Sequence, residues 1–357
     1  MNLDDCNWKN YTIRDLFITK NNLGQQVPTG TYIQKKDLKP GTMPRITVTS
    51  QNNGIDGYYE YNDKMQISRN FISVSFLSTT FYHPYEASLD MKVHSLQLKD
   101  RPLNRFIAHF IISSLKESIA DSSYGNQLSS TDIVRKTILL PAKDDGTPDY
   151  DFMEKYSQQL ERNNRRHYRE YAERQIAKLR ENSYEGGQTH EWKAFSIKDL
   201  FTTERPNARN KDDYAPGDIP FVASGAENNG VMKHCSPKDE EKPDEGNCIT
   251  VSPVDGTAFY QPTAFLGRGG AGSSIVILRS ASLNKYNGVY LARCISNTCQ
   301  RKYSYGRMGS QERVREEKIM LPTKNGEPDF EYMSDYAKSL MTNMYEKYVA
   351  YDNSLAS

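Results

Sequence analysis

The chain has 357 residues and lacks an apolar run long enough to cross a bilayer. Its longest such stretch, FIAHFII from Phe106 to Ile112, falls far short of the roughly 20 residues a spanning helix needs. The opening MNLDDCNWKN has no basic segment leading into an apolar one, so no secretory leader is expected and the expected location is the cytoplasm. Net charge is nearly absent, with 46 Lys and Arg against 45 Asp and Glu. That balance excludes a globally basic DNA-wrapping protein, although local basic loops remain open to it. The cysteines (Cys6, Cys235, Cys248, Cys294, Cys299) are odd in number and form no C-x-x-C pair, which argues against a disulfide framework and suits free thiols in a reducing compartment. His234 beside Cys235 does not rescue a zinc reading, because the spacing is wrong for one.

Catalytic motifs are equally scarce. No Asn-Pro-Pro-aromatic stretch exists, so an amino-methyltransferase domain is not expected. GRGGAG (Gly267 to Gly272) fits G-x-G-x-x-G, but strand-like SSIVILR follows it where a dinucleotide loop requires a helix. A loop is the better reading. Two Pro-Asp pairs invite a nuclease reading, yet neither is followed by an acid-x-Lys. His83, His94, His109, His167 and His190 have no acidic partner at a meaningful spacing and read as structural or exposed.

What the chain does have is a second copy of itself. WKNYTIRDLF (Trp8 to Phe17) returns as WKAFSIKDLF (Trp192 to Phe201), and these hold the only 2 tryptophans. NNG at Asn52 returns at Asn228, NFISVS from Asn70 as NCITVS from Asn247, and TFYHP from Thr80 as AFYQP from Ala258. LNRF at Leu103 matches LNKY at Leu283, SYG ending at Gly125 matches SYG ending at Gly306, and LPAKDDGTPD matches LPTKNGEPD. The spacing stays near about 180 residues throughout, so the chain is a tandem duplication and not a solenoid, which needs three or more units. The Trp rings and the DLF side chains are expected in the core.

Each copy orders its elements alike. FISVSF and CITVSP read as strands, helices are expected over 103–118 and 283–296, and a strand ending in Leu-Pro precedes a Gly turn. Asp149 and Asp329 are placed to cap the helix that follows. That helix has a face at spacings of three and four: Met153, Ser157, Leu160, Asn164, Tyr168 and Tyr171 in the first copy, and Met333, Ala337, Leu340, Met344, Tyr348 and Tyr351 in the second. These faces are expected to pack on each other, antiparallel about a pseudo-two-fold axis. A helix of about 30 residues is roughly 45 Å long. The basic run RNNRRHYRE (Arg162 to Glu170) on the first helix reads as a solvated or partner-facing surface.

This order of motifs resembles the specificity subunits of type I restriction–modification systems and the specificity-like subunit of BcgI-like type IIB systems. Its carriers are W-K-x-[YF]-[TS]-I-x-D-L-F, NNG, N-x-I-[ST]-V-S, F-Y-x-P, KYSYGR and LP…G-x-P-D. The resemblance implies an α+β fold of two tandem pseudo-symmetric target recognition domains (1–147 and 185–327), each followed by a spacer helix (148–184 and 328–357). It implies that double-stranded DNA and DNA adenine methyltransferase subunits are the partners, and a restriction subunit is a possible third. It also implies that S-adenosylmethionine and magnesium belong to those partners, with no cofactor, metal or catalytic residue in this chain.

The expected DNA-reading residues lie in loops where the copies differ, because loops carry function on a fixed scaffold. They are Lys20, Gln25, Gln26, Ser50, Gln51, Asn52, Tyr124 and Asn126 in the first copy. In the second they are Arg205, Arg209, Lys211, Ser224, Glu227, Asn228, Arg268, Arg301, Lys302, Tyr303 and Arg307. Asn and Gln can bond adenine bidentately, Arg can do so with guanine, and cations can anchor phosphates. Asn53–Gly54 and Asn229–Gly230 read as turns first, since Asn and Gly tolerate positive φ. Two other readings stay open from the residues alone: a duplicated protein-interaction scaffold, and an enzyme with one site between the copies.

Overall fold

The computed structural model describes residues 1–20, 24–120, 125–180, 190–270 and 272–355. The chain divides into two compact units, Met1–Arg166 and His167–Ser357.

In the first unit β1 (Trp8–Thr12) leads into a single helical turn, α1 (Ile13–Leu16), followed by β2 (Pro40–Ile46), β3 (Ile55–Tyr59), β4 (Gln66–Ser75), β5 (Thr80–Leu89) and β6 (Val93–Leu96). Then come α2 (Arg105–Ser118), the short α3 (Ser130–Ile133), β7 (Thr137–Pro141) and the start of α4 (Tyr150–Arg180). The strands form a sheet of order β3-β2-β5-β4-β6, and β1 pairs antiparallel with β7. Ile72, Val74 and Leu96 from the sheet pack with Ile107, Ile111 and Leu115 of α2 in the main core. A second cluster (Ile46, Phe71, Ala87, Leu89, Val93) lies within the curled sheet.

The second unit repeats this plan with β8 (Glu191–Ser196), α5 (Ile197–Leu200), β9 (Thr202–Glu204), β10 (Pro216–Val222), β11 (Val231–Cys235), β12 (Cys248–Val251), β13 (Ala258–Gln261), β14 (Leu266–Gly267) and β15 (Val276–Arg279). It ends in α6 (Lys285–Cys299), α7 (Gln311–Glu316), β16 (Lys318–Lys324), β17 (Glu327–Pro328) and α8 (Phe330–Ser354). Strand orders among the described residues are β11-β10-β14, β13-β12-β15-β9 and β17-β16-β8.

Each repeated motif has a mechanical task. Asn70 and Asn247 sit at φ 50° and 48°. At Asn70 this accommodates a bulge between Arg69 and Phe71 in the β4–β5 ladder. Their amides donate to the Leu103 and Leu283 carbonyls at 2.9 and 3.3 Å. Tyr82 and Tyr260, the Tyr of F-Y-x-P, hold the other side of each amide at 3.1 and 2.9 Å. One residue on, Asn104 and Asn284 cap α2 and α6 by accepting from two backbone amides each. In G-x-P-D, Gly146 and Gly326 take φ 79° and 86°, and Asp149 and Asp329 accept from the Phe152 and Tyr332 amides at 3.0 and 2.9 Å.

Two expectations are overturned. Trp8 and Trp192 are 39% and 48% exposed and lie outside the core, although Leu16, Phe17 and Phe201 are buried as expected. The alternation of β1 and β8 turns the Trp side chains outward while Tyr11 turns in. Met153 and Met333, expected on a helix–helix seam, are fully buried in the cores of their own units, because the first turns of α4 and α8 dock on the globular part.

The remaining seam residues divide. Within the second unit, α4 and α8 run antiparallel: the Tyr168 ring meets Tyr348 edge-on at 4.4 Å, and Tyr171 meets Tyr345 at 5.9 Å. A hydrogen bond to Tyr171, aided by burial, pushes the Tyr345 phenol up to about 12. Ala172 and Leu179, absent from the expected seam, are buried, and Asp352 pairs with Arg169 at 3.5 Å. Leu340, Met344 and Tyr351 face away and are exposed, as is Leu160 in the first unit.

The first unit also buries two histidines. His83 stacks on Phe71, with Nε2 2.9 Å from Ser73 Oγ and Nδ1 3.2 Å from the Tyr85 hydroxyl. His94 bridges Thr29 Oγ1 and the Leu128 carbonyl. Burial lowers both, His83 to about 4. In the second unit Gln261 occupies the place of His83, and Val276 that of His94. A histidine held neutral in the fold is protonated first in the unfolded chain, so stability is full above about 6.5 and declines as pH falls from there toward about 4. The loss from His83 is roughly 3 kcal/mol. Denaturant titrations of wild type and His83→Gln between pH 7 and pH 4.5 check this: the substitution should flatten the pH dependence of unfolding.

Candidate nucleic-acid interface

In both units the NNG triplet is a tight 3-10 turn between two strands of one sheet. Asn52 and Asn53 take φ 49° and 52°, and Asn228 and Asn229 take 48° and 53°. The Asn52 amide turns back onto the Ile55 carbonyl at 3.3 Å, and Asn228 onto Val231 at 3.1 Å. These two side chains, expected to read bases, build the turn that carries the loop. A buried glycine closes each turn: a Cβ on Gly230 would lie 2.8 Å from the Ala223 carbonyl, at φ 74°. The residues presented outward are Ser50 and Gln51 in one unit and Glu227 in the other, all exposed.

In the second unit three loops converge. Ser224 Oγ donates to the Ser273 carbonyl at 3.3 Å, Arg268 bonds Ser273 Oγ, and Ala208 bridges Gly269. Gly269 is needed there, since a Cβ would lie 2.1 Å from the Pro206 carbonyl. The glycine-rich stretch is thus a loop packed under the 205–211 segment, with no helix after it.

Arg209 rivets this cluster. Its Nε and Nη1 donate to Glu241 and Asp244, each at 2.6 Å, and its other bonds reach the Gly267 and Lys242 carbonyls at 3.1 and 3.2 Å. Burial opposes its charge, but the two carboxylates outweigh that and raise its pKa. Expected to touch DNA, Arg209 is buried and fully engaged in holding the loop that bears Arg205 and Lys211, both exposed. The acids Glu241 and Asp244 carry no local sequence signal, since they lie some 30 residues from Arg209. In the first unit Arg45, paired with Asp90 at 2.6 Å and bonded to the Thr31 carbonyl, ties β2 to the turn after β5 and to the segment before β2 in a comparable way.

Tyr303 is likewise interior. Its hydroxyl lies 3.2 Å from Glu317, which also binds Lys302, and burial pushes the phenol up. Arg301 and Arg307 beside it are exposed. In the first unit Lys20, Gln25 and Asn126 are exposed, while Gln26 is half-buried against Ser130. Tyr124 lies outside the described residues.

Among the described residues no three His, Cys, Asp or Glu side chains gather as a metal site, and no helix is long and apolar enough to cross a membrane. Burial pushes the Cys248 and Cys299 thiols up to about 12.

The profile of the type I restriction modification DNA specificity domain matches this chain twice, over residues 6–167 and 189–347. The chain belongs to that family. Each specificity domain so matched takes in the strands and loops of one globular unit and more than half of the helix after them. A curated relative, the specificity subunit S.BcgI of a type II restriction enzyme from Heyndrickxia coagulans, is 32% identical over 162 residues, covering 44% of this chain and 45% of that one. The alignment therefore spans about half of that relative. Solved structures include a type I specificity subunit from M. genitalium (16% identity, TM-score 0.48, all of this chain and 95% of that one). Another is the HsdS subunit from Thermoanaerobacter tengcongensis (11% identity, TM-score 0.30, 98% and 92%). At these scores neither adds to the assignment.

The two arginines of the second specificity domain's 205–211 loop should separate cleanly. Arg209→Ala removes a buried cation from two half-buried carboxylates and should cost about 3 kcal/mol in urea unfolding of that unit. Arg205→Ala, at the surface, should change unfolding by less than about 0.5 kcal/mol.

Proposed function

We propose that this chain is the non-catalytic DNA-recognition subunit of a restriction–modification complex in the cytoplasm. Residues 1–147 and 185–327 each read one half of a bipartite, asymmetric site, and the segments 148–184 and 328–357, which hold α4 and α8, act as spacers. The observation that carries this reading is the duplication itself. Hydrogen bonds that build the scaffold recur in both copies, while the exposed loop residues differ: Ser50 and Gln51 stand in one, and Glu227, Arg205, Lys211, Arg301 and Arg307 in the other. Two equal scaffolds with unequal loops suit two different half-sites. Methyl transfer, with its S-adenosylmethionine, and any magnesium-dependent cleavage would belong to partner subunits.

The partner reading is supported by a surface present twice. In the first unit a groove of about 1010 Å³ is lined by Trp8, Phe110, Leu139, Tyr156 and Leu160. Trp192, Met320, Tyr336 and Leu340 hold the equivalent positions in the second unit and are 41–51% exposed. Covering one aromatic ring removes about 150–250 Å² from water. Equal apolar faces on both units suit two copies of one methyltransferase subunit, one per unit.

Co-expression with a DNA adenine methyltransferase encoded beside this chain, followed by methylome sequencing, tests the reading. The expected product is a motif of two short defined parts separated by undefined bases, and a continuous motif would count against it. Trp8→Ala and Trp192→Ala should each weaken methyltransferase association at least about tenfold, while shifting unfolding of the chain alone by less than about 1 kcal/mol. Co-purification and denaturation read the two effects separately.

A further inference from the structure

Tyr305 is 81% exposed, more than any other large apolar side chain described. It is nonetheless held in place. Ser304 and Arg307 exchange both backbone hydrogen bonds, at 3.2 and 2.9 Å, so Tyr305 and Gly306 form the two-residue tip of a closed turn. Beneath the tip, the buried Tyr303 ring packs so closely on Gly309 that a Cβ there would lie 2.4 Å from its Cε2. The Gly309 amide is tied to the Pro253 carbonyl at 2.8 Å, and Arg313 holds the Met308 carbonyl at 2.7 Å. Arg301 and Arg307 stand on either side of the tip in sequence, both exposed and neither in an ion pair among the described residues. Lys302 differs, because Glu317 neutralises it.

An aromatic ring in water on a fixed turn forgoes burial, and packing within its own unit gives no reason for it. Its neighbours are arginine, serine and glycine, which form no apolar rim such as a protein partner would cover. They match a polyanion that presents flat rings between its charges. We propose that Tyr305 is a DNA-contacting residue of the second unit, its ring meeting bases or sugars in a groove while Arg301 and Arg307 hold the adjoining phosphates. This rests on the DNA-recognition reading above. The neighbouring Tyr303, to which the sequence pointed, serves as the pedestal.

The test uses the full chain in complex with its methyltransferase and sheared genomic DNA of the host strain. With p-benzoyl-phenylalanine in place of Tyr305, irradiation should yield a protein–DNA adduct. An adduct with the methyltransferase chain, or no adduct although the complex retains DNA, overturns the proposal. Failure of the unsubstituted complex to retain that DNA overturns the recognition reading itself. Tyr305→Ala should weaken retention about tenfold, and Tyr305→Phe should bind within about twofold of wild type. No effect of alanine, or equal loss in both variants, rejects the ring contact. Because the side chain is exposed, neither variant should alter unfolding.

Discussion

Both units hang on one clasp: an asparagine at positive φ whose amide joins a strand to the start of a helix while a tyrosine hydroxyl holds its other edge. In the first unit the clasp is Asn70, Tyr82 and the Leu103 carbonyl, and in the second Asn247, Tyr260 and the Leu283 carbonyl. Asparagine suits the place because its short polar side chain offsets the cost of the left-handed backbone, which other L-residues bear without compensation. The clasp sets where α2 and α6 begin, and those helices cover the sheets. Everything presented by the sheet's loops inherits its position from that joint.

On this frame the loops are held by interior devices that differ between the units. The second unit uses the Arg209 rivet to gather three loops, and Gln261 to reach the Asn229 carbonyl at 3.0 Å from below. The first uses His83, whose second nitrogen points to the partly exposed Tyr85. A duplicated scaffold can diverge in this way because a change of one buried partner alters a loop without disturbing the joint. The difference between the two surfaces therefore has a structural counterpart a layer below, where burial makes each polar group demand a partner.

The helices have two roles along their length. Their first turns belong to the globular cores through Met153 and Met333, and further along α8 presents Leu340, Met344 and Tyr351 to solvent. A surface that leaves apolar groups and both tryptophans uncovered at equivalent places in two units is an unusual expense for a chain on its own. It becomes intelligible in the assembly proposed above.

Much of this was legible in the residues. The duplication, the order of strands and helices, the Asp149 and Asp329 caps and the NNG turns follow from local chemistry: spacing, β-branched runs, and the tolerance of Asn and Gly for positive φ. Such features depend on neighbours a few residues away, so the sequence alone determines them. What only the tertiary structure decided was which side chain of a suitable type is free. Arg209 and Tyr303 have the chemistry of DNA contacts and are buried, Asn52 and Asn228 are spent on their own turns, Trp8 and Trp192 are apolar and exposed, and Tyr305 rather than Tyr303 stands in solvent. The burial of Arg209 and Tyr303 depends on partners distant in the chain, Glu241, Asp244 and Glu317. Burial and pairing across such distances leave no periodicity to read.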